Sequence, residues 1–404
     1  MKEVTNNNIY RKGERKMKST KLIAGVSALA FSALILGACS ADNGGSADSS
    51  SQAASSTTVS SSAQASTEES SAANAEVTIA DGKSEDAKVP AEGTVYMRQL
   101  YAAPHGDKSF AVVNVTMNGE KILSAKIDEF QYVEKTDDWK AVPNGDGAFG
   151  EAFPEGNILV AKMENSDAYS ALMKDHAGST QTWQESITAI TDFAKGKTAA
   201  DLETEIAKIA DDGGNVADVV SGSTFTDTRG YLQAIVDAAT SGMVSEGQAT
   251  TNADGLKEAM ILGAPHGDKS FGVVTVAMDG DKIAATFLDE FQYTDPADFG
   301  GVPNSNGAFG EGIADGQVLA SKLANNDAYS ALMKDHAQAT KTWQESATAI
   351  EKFVQGKTVA EIEEAAGKID DEGKNVADVV SGATFTDAKG YLQLIVDAAN
   401  EATK

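Results

Sequence analysis

The side chains able to do chemistry come in matched pairs. Asp218-Val-Val-Ser221-Gly222-Ser223-Thr224 returns as Asp378-Val-Val-Ser381-Gly382-Ala383-Thr384, each run ending in a hydroxyl ahead of a helical stretch. Taken alone, Thr224-x-x-Asp227 is a helix N-cap with an acid in the first turn, worth about 1 kcal/mol. Pro104-His105-Gly106-Asp107 likewise returns at 265–268. His and Asp supply only two ligands, fewer than a metal centre needs, which favours a polar turn before the first strand. His176 and His336 fall on apolar helical faces and read as core-edge histidines. Cys39 is the single cysteine, which excludes intrachain disulfides, zinc–thiolate sites, iron–sulfur clusters and a C-x-x-C-H haem site.

These residues sit inside an internal repeat. Ala103–Phe110 recurs as Ala264–Phe271, and the DEFQY run at 128–132 recurs at 289–293. DAYSALMKDHA at 167–177 recurs at 327–337, and TWQES at 182–186 recurs at 342–346. A period of roughly 160 residues is a domain, not a solenoid unit, so the chain reads as a tandem duplication. Within one copy, Phe110–Met117 and Lys121–Ile127 are β-rich runs joined across Asn118-Gly119, a hairpin signal; the second copy has Asp279-Gly280 there. A Gly-rich loop, Val142 to Gly150, follows, too loose in pattern for a phosphate loop. Tyr169, Leu172, Met173 and His176 then keep helical spacing, and Trp183, Ile187 and Ile190 extend that face. Another helix starts at Thr198, whose twin Thr358-x-x-Glu361 is a capping box. The last helix carries Leu232, Ile235, Val236 and Ala239 on one face. The expected class is α+β, with an antiparallel hairpin or sheet followed by packed helices in each copy.

The chain has 404 residues, 41% of them hydrophobic, and a formal net charge of −27 from 60 acidic and 33 basic residues. No basic patch is dense enough to track a phosphate backbone, so nucleic acid is not an expected partner. Near the start, Lys18 and Lys21 precede an almost wholly apolar stretch, Leu22–Ala38, and then Cys39. At about 17 residues that stretch could just span a bilayer. Its basic start and small-residue end fit a secretory signal instead. Leu36-Gly37-Ala38-Cys39 resembles the lipobox of bacterial lipoproteins, which implies a diacylglycerol on Cys39 and cleavage before it. Met1–Lys16 precede a second candidate start, Met17. From Ser40 to about Glu92 the chain is rich in Ser, Ala, Thr and acids, a composition that cannot bury enough apolar surface to fold. A coil of about fifty residues spans roughly 40 Å r.m.s.. The expected plan is signal peptide 1–38, lipidated stalk 39–92, domain 93–240, link 241–256 and domain 257–402.

The two runs ending at Thr224 and Thr384 resemble the D-x-x-S-G-A-T flavinylation motif of FMN-binding domains. The resemblance also takes in the hairpin and the final helix. It implies that a dedicated FMN transferase esterifies FMN through its phosphate to Thr224 and Thr384, one cofactor per copy. Asp218, Ser221, Gly222 and Ser223, with Asp378, Ser381, Gly382 and Ala383, would complete the motif. Ser223 departs from the usual Ala, which makes Thr224 the less regular acceptor. Small neighbours leave room for a transferase, and the helix that follows favours a phosphate through its unpaired N–H groups. Trp183, Trp343, Tyr132 and Tyr293 are candidates to stack on the isoalloxazine, with core packing as the alternative.

As a whole the chain is similar to the flavinylated surface lipoproteins of Gram-positive extracellular electron transfer. That likeness implies a quinone-linked membrane donor and outward acceptors such as ferric iron or soluble flavin. It implies an electron carrier on the outer face of the membrane, with ferric or flavin reduction as its activity and no bound organic substrate. The alternative is a non-redox binding or adhesion lipoprotein. The chain is also similar to enterococcal and listerial sex-pheromone precursors, in which a peptide such as Phe31–Ala38 is released from the signal.

Overall fold

The structure, a computed structural model, describes residues 77–404. Cys39, the apolar stretch before it and most of the expected stalk lie outside the described residues. The fold is α+β. The first half contributes β1 (Thr94–Ala102), β2 (Ser109–Asn118), β3 (Lys121–Glu134) and β4 (Asn157–Ala161). Helices α1 (Ser166–Ala177), α2 (Trp183–Ala194), α3 (Ala199–Ile206), α4 (Val216–Val219) and α5 (Thr228–Ser241) follow, then β5 (Met243–Ala249). The second half repeats this order with β6 (Lys257–Gly263), β7 (Ser270–Asp279), β8 (Lys282–Thr294) and β9 (Val318–Ser321). It closes with α6 (Asn326–Ala337), α7 (Trp343–Val354), α8 (Val359–Ala366), α9 (Val376–Val379) and α10 (Ala388–Thr403). Both sheets are antiparallel, in the orders β4-β3-β2-β1-β5 and β6-β7-β8-β9. Among the described residues no helix is long and apolar enough to cross a membrane.

Local chemistry accounts for the elements. The β2–β3 and β7–β8 turns place Gly119 and Gly280 at φ 56° and 65°, a left-handed conformation that costs glycine little. Capping boxes Thr182/Glu185 and Thr342/Glu345 start α2 and α7, and Thr198/Asp201 and Thr358/Glu361 start α3 and α8. The helical face expected to run on from Tyr169 through Ile190 is instead two helices. Gly178 ends α1 at φ 64° and Thr182 starts α2 anew. His176 and His336, expected at a core edge, are exposed in the last turns of α1 and α6, where a basic group suits the helix dipole.

The halves are not self-contained. β2 is buried along nearly its whole length because each of its faces is covered. Ala111, Val113 and Val115 face the first helical layer, whereas Phe110 and Val112 join a core shared with the second half. There Phe110 stacks on Phe130 at 4.9 Å and Phe271 on Phe291 at 5.2 Å, and Phe130 meets Phe271 at 5.6 Å. Tyr132 and Tyr293 share a hydroxyl–hydroxyl bond in this layer. Segment 241–256, expected to be a link, instead holds β5, which joins the first sheet beside β1. The last part of the expected stalk also packs on the fold. Ala80 N–H donates to the Gly301 carbonyl at 2.9 Å, and Tyr101 N–H to that of Asp81 at 2.8 Å.

Buried carboxyls tie β5 and the sheets to the helices. Glu351 on α7 accepts from Leu288 N–H at 2.9 Å and lies 2.9 Å from the Ser245 hydroxyl of β5; burial pushes its pKa up to about 8. Burial also pushes Asp128 up to about 7 and Asp289 up to about 6. The folded protein therefore holds protons that the unfolded chain releases near pH 4. Their contribution to stability is full below that pH and is lost as pH rises through about 6 to 8. We expect the melting temperature to fall from about pH 5 to about pH 8.5, and Glu351→Gln to raise it at the upper end only. A flat profile in both proteins, measured by calorimetry, would contradict this account.

Candidate functional site

Each half holds a cavity between its first two helices and the start of its last. The first, about 300 Å³, is lined by His105, Tyr169, Trp183, Thr224, Phe225 and Asp227 among others. The second, about 260 Å³, has His266, Tyr329, Trp343, Thr384, Phe385 and Asp387 in the same places. Of the four aromatics considered as stacking candidates, Trp183 and Trp343 thus reach the cavities. Tyr132 and Tyr293 pair in the shared core instead.

The twin motifs take one conformation. Asp218 and Asp378 are exposed on the short helices α4 and α9. Gly222 and Gly382 follow at φ 92° and 95°, where any side chain is strained. The next position is fully buried, which explains its small side chains. Ser223 satisfies its hydroxyl against Thr228 Oγ1 at 2.7 Å, and Thr228 donates onward to the Phe225 carbonyl at 2.7 Å. In the second half Ala383 and Ala388 remove both hydroxyls together. The departure at Ser223 is therefore accommodated without an orphaned polar group.

Thr224 and Thr384 are exposed, with hydroxyls 3.3 and 3.2 Å from those of Ser186 and Ser346 in the first turns of α2 and α7. Neither Thr caps the following helix. The N-caps of α5 and α10 are Asp227 and Asp387, and neither makes a side-chain cap bond. Ser221 and Gly222 do not line the cavity but an open groove with Thr188 and Ala189 of α2.

The His turns, expected to be polar turns only, belong to the same sites. His105 Nδ1 lies 2.7 Å from Asp227 Oδ2, and His266 Nδ1 lies 2.6 Å from Asp387 Oδ2. The hydrogen bond from His105 holds the Asp227 carboxyl below the usual carboxylate range, against the opposing effect of partial burial. Each turn is held by the opposite half. Asn304 Nδ2 donates to the Gly106 and Ser109 carbonyls at 2.9 and 2.7 Å, and Phe309 N–H donates to Asp107 at 2.8 Å. Asn144 does the same for Gly267 and Ser270, again at 2.9 and 2.7 Å, and Phe149 N–H donates to Asp268 at 2.9 Å. Among the described residues no group of three or more His, Cys, Asp or Glu side chains is placed to hold a metal ion.

A buried ion pair lies beneath each cavity. Lys162 pairs with Glu129, donates to the Tyr169 hydroxyl at 3.0 Å and sits 4.2 Å above that ring. Tyr231 donates to the other oxygen of Glu129. In the second half Lys322 and Glu290 are 2.7 Å apart, and Tyr391 donates to Glu290. Burial works against the charge of Lys322, but Glu290 and Tyr329 outweigh it and raise its pKa. Lys162, Glu129, Lys322 and Glu290 are at most 2% exposed, so each ion depends on its partner. The signal for them in the sequence is that Glu129 and Lys162 recur at the matching positions of the second copy, as Glu290 and Lys322.

No family model, no curated protein and no solved structure matches the chain.

Two outcomes follow from this geometry. Lys162→Met alone is expected to cost about 3–5 kcal/mol by leaving Glu129 buried and unpaired, with much of it recovered by adding Glu129→Gln. Denaturant titration reads this, and a single-variant loss well under about 1 kcal/mol would show that the pair does not support the site. Asn304→Ala is expected to speed hydrogen exchange at 104–109 in the opposite half while leaving 265–270 unchanged. Equal change in both turns would sink the cross-half clamp.

Proposed function

We propose that the protein is an extracellular electron carrier built from two FMN-binding copies. Each copy would hold one FMN esterified through its phosphate, at Thr224 and at Thr384. The lipid on Cys39 would anchor it at the outer face of the membrane of a Gram-positive bacterium. Electrons would arrive from a quinone-linked membrane donor and leave to acceptors such as ferric iron. FMN supplies the one- and two-electron chemistry when bound. The chain's part is to hold, shield and orient it.

The observation that carries the reading is that Thr224 and Thr384 are both exposed residues lining aromatic cavities while the residue before each is buried. A transferase needs an accessible oxygen, and a planar ring needs an apolar slot beside it. The residues present fit such a group. Trp183, Tyr169 and Phe225 supply apolar walls, and the buried Trp183 indole N–H lacks a well-aligned acceptor. Cavities of this size fall near the lower end of the roughly 300–1,000 Å³ common for small-molecule sites, so part of the cofactor would remain open to solvent. That exposure suits outer-sphere electron exchange. His105 and His266, each bonded to an Asp, place an imidazole at each cavity.

Co-expression with an active FMN transferase, followed by intact mass and in-gel flavin fluorescence, tests this. Two FMN additions are expected, with Thr224→Ala and Thr384→Ala each removing one and the double variant removing both. A colourless, unmodified protein beside a modified control substrate would overturn the proposal and favour the adhesion reading.

A further inference from the structure

Among the described residues, one groove of the duplication holds a strand and its counterpart does not. In the filled one, β5 lies against the outer edge of β1 and over β8 and α7. It pairs Met97 with Ser245 and Arg98 with Val244. The Ser245 hydroxyl lies 2.7 Å from the Thr286 carbonyl and 2.9 Å from Glu351, and the Gln355 side chain donates to the Glu246 carbonyl. Gly247 is pressed so closely there that a Cβ would come within 2.7 Å of that of Ala285.

The counterpart groove runs along β6, β3 and α2. Among the described residues β6 has no partner on its outer edge, and no strand there plays the part that β5 plays at β1. A cavity of about 380 Å³ remains there, lined by Ser124, Lys126, Thr191, Lys195, Glu258 and Met260 among others. Register relates the two grooves residue by residue: Met97 sits opposite Thr116 on β2, and Glu258 sits opposite Ala277 on β7. Met97 packs in an apolar cluster with Ala277, Ala285 and Phe287. Glu258 instead looks onto Thr116, Ser124 and Lys126, the positions matching those three. Both Glu258 carboxylate oxygens are buried without a hydrogen bond of good geometry, although the Ser124 and Thr116 hydroxyls lie beside them. Burial raises the Glu258 pKa against the nearby Lys126 and Lys195, and a donor arriving beside the carboxyl would favour its charged form.

We propose that this groove is a docking site for an extended segment of a partner protein. The segment would add to the free edge of β6 as an antiparallel strand, as β5 adds to β1. Main-chain bonds along Lys257–Met260 would supply affinity, the usual logic of strand addition. The residue opposite Glu258, at the position Ser245 holds in β5, would be Lys or Arg and would pair with the waiting carboxylate. Two places further on the segment would carry Gly, for the reason that β5 does. The inference stands apart from the flavin reading and uses none of its residues.

The probe is a synthetic peptide copying Met243–Ala249 with Ser245→Lys, titrated into the full-length protein by fluorescence anisotropy and mapped by hydrogen exchange. Binding in the micromolar range is expected, with new protection at 257–260 and at least about tenfold preference over the unaltered β5 sequence. Glu258→Gln should weaken binding by about tenfold or more while leaving the melting temperature equal or higher, which separates lost recognition from lost folding. No binding at about 1 mM peptide overturns the proposal. So does equal binding by Glu258→Gln, or protection that falls on β1 because the peptide has displaced β5.

Discussion

The structure depends on reciprocity between its halves. Two asparagines, Asn144 and Asn304, sit at φ 62° and 67°, a conformation uncommon outside glycine. Each uses that bend to send its amide across to the opposite His turn. The six phenylalanines around them, Phe110, Phe130, Phe149, Phe271, Phe291 and Phe309, form the layer through which the sheets meet. Without the partner half, that layer would be an exposed apolar face and the His turns would lose their outer support. The pairing of His105 with Asp227 is therefore a property of the whole body, although both residues come from one half.

Symmetry of sequence does not carry through to symmetry of environment. The cavities match nearly side chain for side chain, and the ion pairs beneath them match as well. The grooves flanking β1 and β6 do not: among the described residues β5 lies in one and no strand lies in the other. Glu351 anchors β5 where the first half has Thr191, and Glu258 stands where the first half has Met97.

Local signals were readable and long-range ones were not. The Asn118-Gly119 hairpin, the helix start at Thr198, the capping box at Thr358 and the apolar face of the last helix each depend on residues a few positions apart. The twin runs ending at Thr224 and Thr384 were legible as repeats because seven contiguous residues carry each, but their orientation was not. Thr224 was read as adjoining the following helix, yet its hydroxyl meets Ser186, a neighbour that only tertiary packing supplies. His105 and Asp227 are separated by 122 positions, and a two-residue cluster at the turn gave no hint of the pairing. β5 was missed for a related reason. Its run of Ser, Glu, Gly and Gln is polar, and what makes it a strand is the edge of β1 waiting beside it.

The paired hydroxyls of Ser223 and Thr228, replaced together by Ala383 and Ala388, bear on how such copies drift apart. Moving from one pair to the other takes two substitutions. Removing Thr228 first strands the Ser223 hydroxyl in a dry interior, whereas removing Ser223 first leaves Thr228 its carbonyl acceptor at Phe225. The order of mutation therefore matters, and the lower route passes through Ala beside Thr. The two halves thus hold the endpoints of a short, directional path that selection on one buried bond would impose.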